Sequence, residues 1–265
     1  MGLRLEIWMR SKRPPSRSDN GGLRASTLDL RETMKILKEL KNLADPAVAE
    51  HSQRFFKTGP GEYGEGDVFL GIRVPVLRQV AKQYGDLKLS DIQKLLRSPY
   101  HEVRSTVVII LVNQYAKAAD DVQREKVYQF YIKNFKCINN WDLVDVSSHK
   151  IVGRHLYNRD RKILYKWAQS EHLWTRRIAI ISTMWFISKN DYSDSLKLSK
   201  ILLNDEHDLI HKAVGWVLRE VGKKDRGLLE KFLKKYHTKM PRTMLRYAIE
   251  KLPETRRQQY IRGTI

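Results

Sequence analysis

The chain has 265 residues, enough for one large domain or two small ones, and its 42% hydrophobic content is that of an ordinary folded protein. Its 50 Lys and Arg outnumber its 30 Asp and Glu, and a net charge of +20 favours a polyanionic partner, most simply a nucleic-acid backbone. One cysteine, Cys137, excludes an internal disulfide and fits a reducing cytoplasm, and no apolar run reaches the ~20 residues of a membrane span.

Residues 1–28, with Ser11-Lys12-Arg13-Pro14-Pro15-Ser16-Arg17-Ser18-Asp19-Asn20-Gly21-Gly22, cannot bury a core and read as a basic, mobile extension. Residues 29–265 read as a single domain. Met34 opens the first predicted helix through Ile36, Leu37 and Leu40, and every long segment beyond it has helical spacing without strand-like alternation. Gly59-Pro60-Gly61-Glu62-Tyr63-Gly64-Glu65-Gly66 contains a formal G-x-G-x-x-G, but it follows a helix, lacks a preceding strand and carries acids that would repel a pyrophosphate. A flexible loop between helices is the expectation there.

From Ser98 the chain repeats. Units beginning at Ser98, Asn134, Ser170, Asp205 and Met240 are separated by 36, 36, 35 and 35 residues, each with a polar turn leading into an apolar helix. A constant period of this size with two helices per unit predicts an all-α solenoid of HEAT-like or armadillo-like repeats. In such a stack the second helices line one concave face, and equivalent positions form rows along it. Arg104, Arg176 or Arg177, His211 or Lys212, and Arg246 or its neighbour share one early position, so this face is expected to be a basic groove that holds phosphates.

Within the row, Asn139-Asn140-Trp141-Asp142-Leu143-Val144-Asp145 stands out. With an asparagine as cap, Trp141 falls in the first helical turn and Asp145, four residues on, projects on the same face. Asp142 points elsewhere, where it would complement the positive helix N-terminus. In register, Trp141 falls beside Arg177 and Lys212, and Asp145 beside Ile181 and Trp216. Core packing does not call for Asp and Arg at one depth, which favours a groove site over two buried tryptophans. Trp167, Trp174 and Trp185 lack such partners and read as packing residues. His207 and His211 are spaced i,i+4 but have no third ligand, so neither a metal nor another cofactor is expected.

Residues 34 to about 250 resemble the AlkD-type DNA alkylation repair proteins, DNA glycosylases built from HEAT-like repeats. The resemblance is carried by Val68-Phe69-Leu70-Gly71-Ile72-Arg73-Val74-Pro75, by Trp141-Asp142-Leu143-Val144-Asp145, by Leu173-Trp174-Thr175-Arg176-Arg177-Ile178-Ala179, and by Lys212-Ala213-Val214-Gly215-Trp216-Val217-Leu218-Arg219-Glu220. It implies Asp145 as the catalytic carboxylate, Trp141 and Trp216 as aromatic walls, and Arg177 as the phosphate-contacting arginine. A family tyrosine on an early helix falls at Phe55, where the ring is kept and the hydroxyl is lost. Arg73, Arg78, Arg104, Arg176, Lys212 and Arg246 complete the expected DNA-binding set with Phe55. The implied partner is double-stranded DNA carrying N3- or N7-alkylated purines, bound by a monomer and without extrusion of the base. The competing expectation is a non-catalytic HEAT-like scaffold for nucleic acid or an acidic protein, which needs the arginines but not Asp145.

Overall fold

The computed structural model describes the backbone of residues 22–265 and the side chains of residues 31–265; the rest of the expected extension lies outside them. The described residues are helical apart from loops and one isolated bridge between Val68 and Tyr100. The helices are α1 (Gly22–Asn42), α2 (Pro46–Phe55), α3 (Val74–Gln83), α4 (Leu89–Leu95), α5 (His101–Lys117), α6 (Asp121–Lys133), α7 (Trp141–Ser148), α8 (Arg154–Leu156), α9 (Lys162–Ala168), α10 (Leu173–Ser182), α11 (Met184–Ser188), α12 (Ser193–Ile201), α13 (Asp208–Lys224), α14 (Arg226–Tyr236), α15 (Arg242–Ile249) and α16 (Glu254–Arg262). The first helix begins at Gly22, within the segment expected to be mobile and well ahead of Met34; Ile36 and Leu40 on it are wholly buried.

The predicted repeat is present. Helices α5, α7, α10, α13 and α15 pack side by side in chain order, while α6, α9, α12 and α14 pack against this inner row. The inner helices begin at His101, Trp141, Leu173, Asp208 and Arg242. In the second unit a 3₁₀ turn at Phe135–Cys137 and the non-helical residues Ile138 to Asn140 delay the helix to Trp141, the start that the asparagine cap predicts. At the centre, α5 is buried on all sides from His101 to Val112, as its lack of a polar stripe requires.

Four local features fix the walls of the site. Asp45 caps α2, its side chain accepting from the backbone of Ala47 and Val48 at 3.0 and 3.1 Å, with Pro46 in the first turn. The buried Glu102 carboxylate on α5 accepts from the backbone N–H groups of Leu70, Gly71 and Ile72 at 2.9, 2.8 and 3.2 Å, which fastens the end of the long loop between α2 and α3. Gly71 is required there: its φ is 81°, and a Cβ would lie 2.1 Å from the Asp45 carbonyl oxygen. At the other end of the row, a Cβ on Gly215 would lie 2.5 Å from Tyr247 Cβ, so α13 and α15 approach closely only because that residue is glycine. After Ser148, α7 runs on through a π-helical turn at His149–Gly153 into α8.

Candidate active site

Asn140 opens α7 in extended geometry, with its side-chain oxygen accepting from the Trp141 backbone at 2.8 Å. The helix that follows places Trp141 and Asp145 on one face, as their spacing predicts. Both line a cleft of about 460 Å³ that also receives Phe55, Lys57 and Tyr63 from the N-terminal side and Arg177, His207, Asp208, Leu209, Lys212, Trp216, Arg219 and Tyr247 from the successive inner helices. Trp141, Asp145, Arg177 and Trp216, distant in sequence, are thus brought into one space. Its volume lies in the range of small-ligand clefts.

At the floor, Arg177 grips Asp145 by two parallel hydrogen bonds, Nε to Oδ1 at 2.9 Å and Nη2 to Oδ2 at 2.8 Å. The arginine side chain is 5% exposed and the carboxylate 17%. Its third nitrogen, Nη1, donates to the Leu209 carbonyl oxygen. Burial pushes the Asp145 carboxyl above the usual carboxylate range, and the guanidinium works against that shift. Arg177 is therefore turned inward onto the acid and a carbonyl.

The aromatic walls are asymmetric. Phe56 stacks on Trp141 with ring centroids 5.2 Å apart and planes 11° apart, so one indole face is covered and the other is left to the cleft. Phe55 is exposed and meets Trp141 edge-on at 5.9 Å. Trp216 donates its indole N–H to Glu220 at 3.2 Å. Tyr63, from the glycine loop, sits edge-on to the buried Trp174 at 6.1 Å; burial above all raises its hydroxyl pKa, and Trp141 works against that shift.

Asp142 does more than complement a helix end. Its Oδ2 accepts from His101 Nε2 at 2.8 Å, while His101 Nδ1 faces Asp67 at 3.4 Å and Arg104 Nη2 donates to Asp67 at 2.6 Å. Burial opposes a charge on His101, but Asp142 and Asp67 outweigh it and raise the ring to about 9. This chain of groups ties the loop to α5 and to the first turn of α7.

The expected basic row divides in two. Arg104 Nη1 donates to the Ser98 carbonyl, Arg176 Nη1 to the Ser170 carbonyl, and His211 Nε2 bonds the Asp205 carbonyl, each six residues back. Arg176 also pairs with Asp205 at 2.6 Å. In three of the five units this basic residue clasps the turn that leads into its own helix, so Arg104 and Arg176 are withdrawn from the groove by partners the sequence pattern does not reveal. One residue on, Arg177, Lys212 and Tyr247 face the cleft. Lys212 pairs with Asp208 at 2.7 Å. Arg73, Arg78 and Arg246 are exposed and lie outside the cleft lining. No cluster of His, Cys, Asp and Glu suited to a metal occurs among the described residues.

The sequence reading missed Lys57, Tyr63, His207, Asp208, Leu209, Arg219 and Tyr247. Tyr247 was within reach as the neighbour of Arg246, one repeat beyond Lys212. Lys57 and Tyr63 belong to no repeat and are placed by the loop.

Residues 36–252 match the family model described as DNA alkylation repair enzyme. No curated protein is a significant match to the chain. Among solved structures, a predicted DNA alkylation repair enzyme from Enterococcus faecalis is 18% identical and aligns over 80% of this chain and 97% of its own, with a TM-score of 0.64. AlkD2 from Streptococcus mutans is 15% identical over 85% of this chain and 99% of its own, with a TM-score of 0.51. At these identities the two structures speak for the shared helical-repeat fold, while the family match spans most of the chain and includes every residue that lines the cleft. The chain belongs to the DNA alkylation repair enzyme family.

Proposed function

We propose that this repair enzyme is a DNA glycosylase that releases positively charged N3- and N7-alkylated purines from duplex DNA. One observation carries the reading: a carboxylate, Asp145, held by a bidentate arginine in a cleft that Trp141 and Trp216 also line. An alkylated purine already bears positive charge, which weakens its bond to the sugar and makes the base a good leaving group. Breaking that bond leaves an oxocarbenium-like sugar, and a fixed negative charge at hydrogen-bonding distance lowers the barrier to forming it. Asp145 is suited to this and to orienting the attacking water. Arg177 has the positioning role: it fixes the carboxylate in one plane and opposes its protonation.

The free indole face of Trp141 and the ring of Trp216 favour a cationic neighbour over a neutral one by ~0.5–2 kcal/mol each. Selection by charge would follow, with the damaged nucleotide held through its sugar and phosphate while it stays in the duplex. Incubation with duplex DNA containing 7-methylguanine, followed by alkaline cleavage, tests the reading. Strand breaks above the no-enzyme control are expected; none would leave a DNA-binding repeat scaffold in which Asp145 and Arg177 form a structural ion pair.

A further inference from the structure

The loop between α2 and α3 brings a cation into the cleft. Lys57 adopts a left-handed backbone, φ 52°, which costs a non-glycine residue energy and marks a conformation imposed by its surroundings. The surroundings are specific. Gly64 donates its backbone N–H to the Lys57 carbonyl at 3.1 Å, and a Cβ on Gly64 would lie 2.5 Å from the Phe56 carbonyl oxygen, so the loop closes onto Lys57 only through a glycine. The closed loop directs Lys57 and Tyr63 into the same cleft as Asp145.

Every other Lys or Arg lining the cleft has a carboxylate partner: Arg177 has Asp145, Lys212 has Asp208, and Arg219 has Glu220 and Glu250. Lys57 has no ion-pair partner among the described residues. The acids of its own loop are engaged elsewhere, Glu62 on the Gly59 N–H at 2.9 Å, Glu65 on the Gly61 N–H at 3.0 Å, and Asp67 on Arg104 and His101. Tyr63 has a related feature. Among the described residues no group accepts the Tyr63 phenolic proton, which leaves it to donate to a ligand.

We infer that Lys57 and Tyr63 together bind one backbone phosphate of the DNA beside the target nucleotide. Lys57 supplies the charge and Tyr63 a neutral hydrogen bond. The inference rests on the cleft being a DNA site and gives the loop a specific part in it.

The test is equilibrium binding of the full chain to an undamaged duplex, read by fluorescence anisotropy from about 50 to about 200 mM NaCl. Lys57→Asn removes the charge while keeping a residue type that tolerates a left-handed backbone. It should weaken binding and make the slope of log affinity against log salt shallower by about 0.9, the value of one phosphate contact. Lys57→Arg should keep the wild-type slope. Tyr63→Phe should weaken binding about fivefold without changing the slope, because it removes a hydrogen bond and no charge. Lys162→Gln, a change at an exposed lysine of an outer helix beside Asp160, is the reference for charge loss away from the cleft. A wild-type slope in Lys57→Asn, or wild-type affinity in Tyr63→Phe, overturns the inference. Because the duplex is undamaged, this result is independent of base excision: a protein that fails to excise can still show the slope change.

Discussion

Replacing Asp145 by Asn probes the centre of the site with one atom's change. In the native pair both Arg177 bonds end on carboxylate oxygens, and the guanidinium is 5% exposed. Asparagine keeps one acceptor and presents an NH₂ group to the second guanidinium N–H, so one bond survives and the other becomes a donor facing a donor. Breaking a buried pair by removing one charge costs ~3–5 kcal/mol. The surviving bond and the partial exposure of Asp145 put this case at the low end, about 3 kcal/mol, which lowers the melting temperature by roughly 6–12 °C for a domain of this size. Loss of the fixed negative charge should slow single-turnover release of 7-methylguanine by at least the ~10²–10³-fold seen when one such electrostatic group is removed from an active site. DNA affinity should be unchanged or tighter, since the cleft becomes one unit more positive. The assays are excision by alkaline cleavage and binding by anisotropy, below the variant's melting transition. Excision within tenfold of wild type, or a tenfold loss of affinity in folded protein, would refute the role given to Asp145.

Three further outcomes follow from the geometry. Arg177→Gln removes the group that opposes the upward shift of Asp145, so the acid limb of excision against pH should move to higher pH than in wild type; an unmoved limb would detach Arg177 from that carboxylate's ionisation. Trp216→Ala should reduce the preference for a 7-methylguanine duplex over an undamaged one by about 2- to 30-fold, the span of one cation–π contact, in paired binding isotherms. His101, raised by Asp142 and Asp67 against the effect of burial to about 9, contributes stability that is complete below its ordinary value near 6.5 and is lost as pH rises through about 9. The loss is about 3 kcal/mol, so thermal melting should decline between about pH 7 and 10 in wild type and be flatter in His101→Gln; parallel curves would show that the ring is neutral.

The architecture was readable because a repeat stacks equivalent positions. Trp141, Arg177, Lys212 and Tyr247 recur at nearly constant spacing, and the fold brings them to one cleft. The same periodicity misled in one respect. Adjacent basic residues in Arg176-Arg177 and His211-Lys212 look interchangeable in sequence, yet a rotation of about 100° separates a turn clasp from a cleft residue, and only the exact start of each helix decides which is which. That start depends on local detail such as the 3₁₀ turn at Phe135–Cys137. The pairing of Asp142 with His101 and of Arg104 with Asp67 spans 41 and 37 residues, beyond any local pattern. Lys57 and Tyr63 were hidden for the same reason: their position is set by Glu102 and Asp67 gripping the base of a loop that reads as featureless glycine and acid.

The way that loop is fastened separates its foot from its tip. Asp67 and residues 70–72 are fixed to α5 by buried ionic groups, whereas residues 58–65 are held mainly by short-range bonds within the turn. Apart from Tyr63, whose ring meets Trp174, the tip can consequently vary in length or chemistry while its foot stays fixed, which makes it the natural place to graft new lesion preferences onto an otherwise unaltered scaffold.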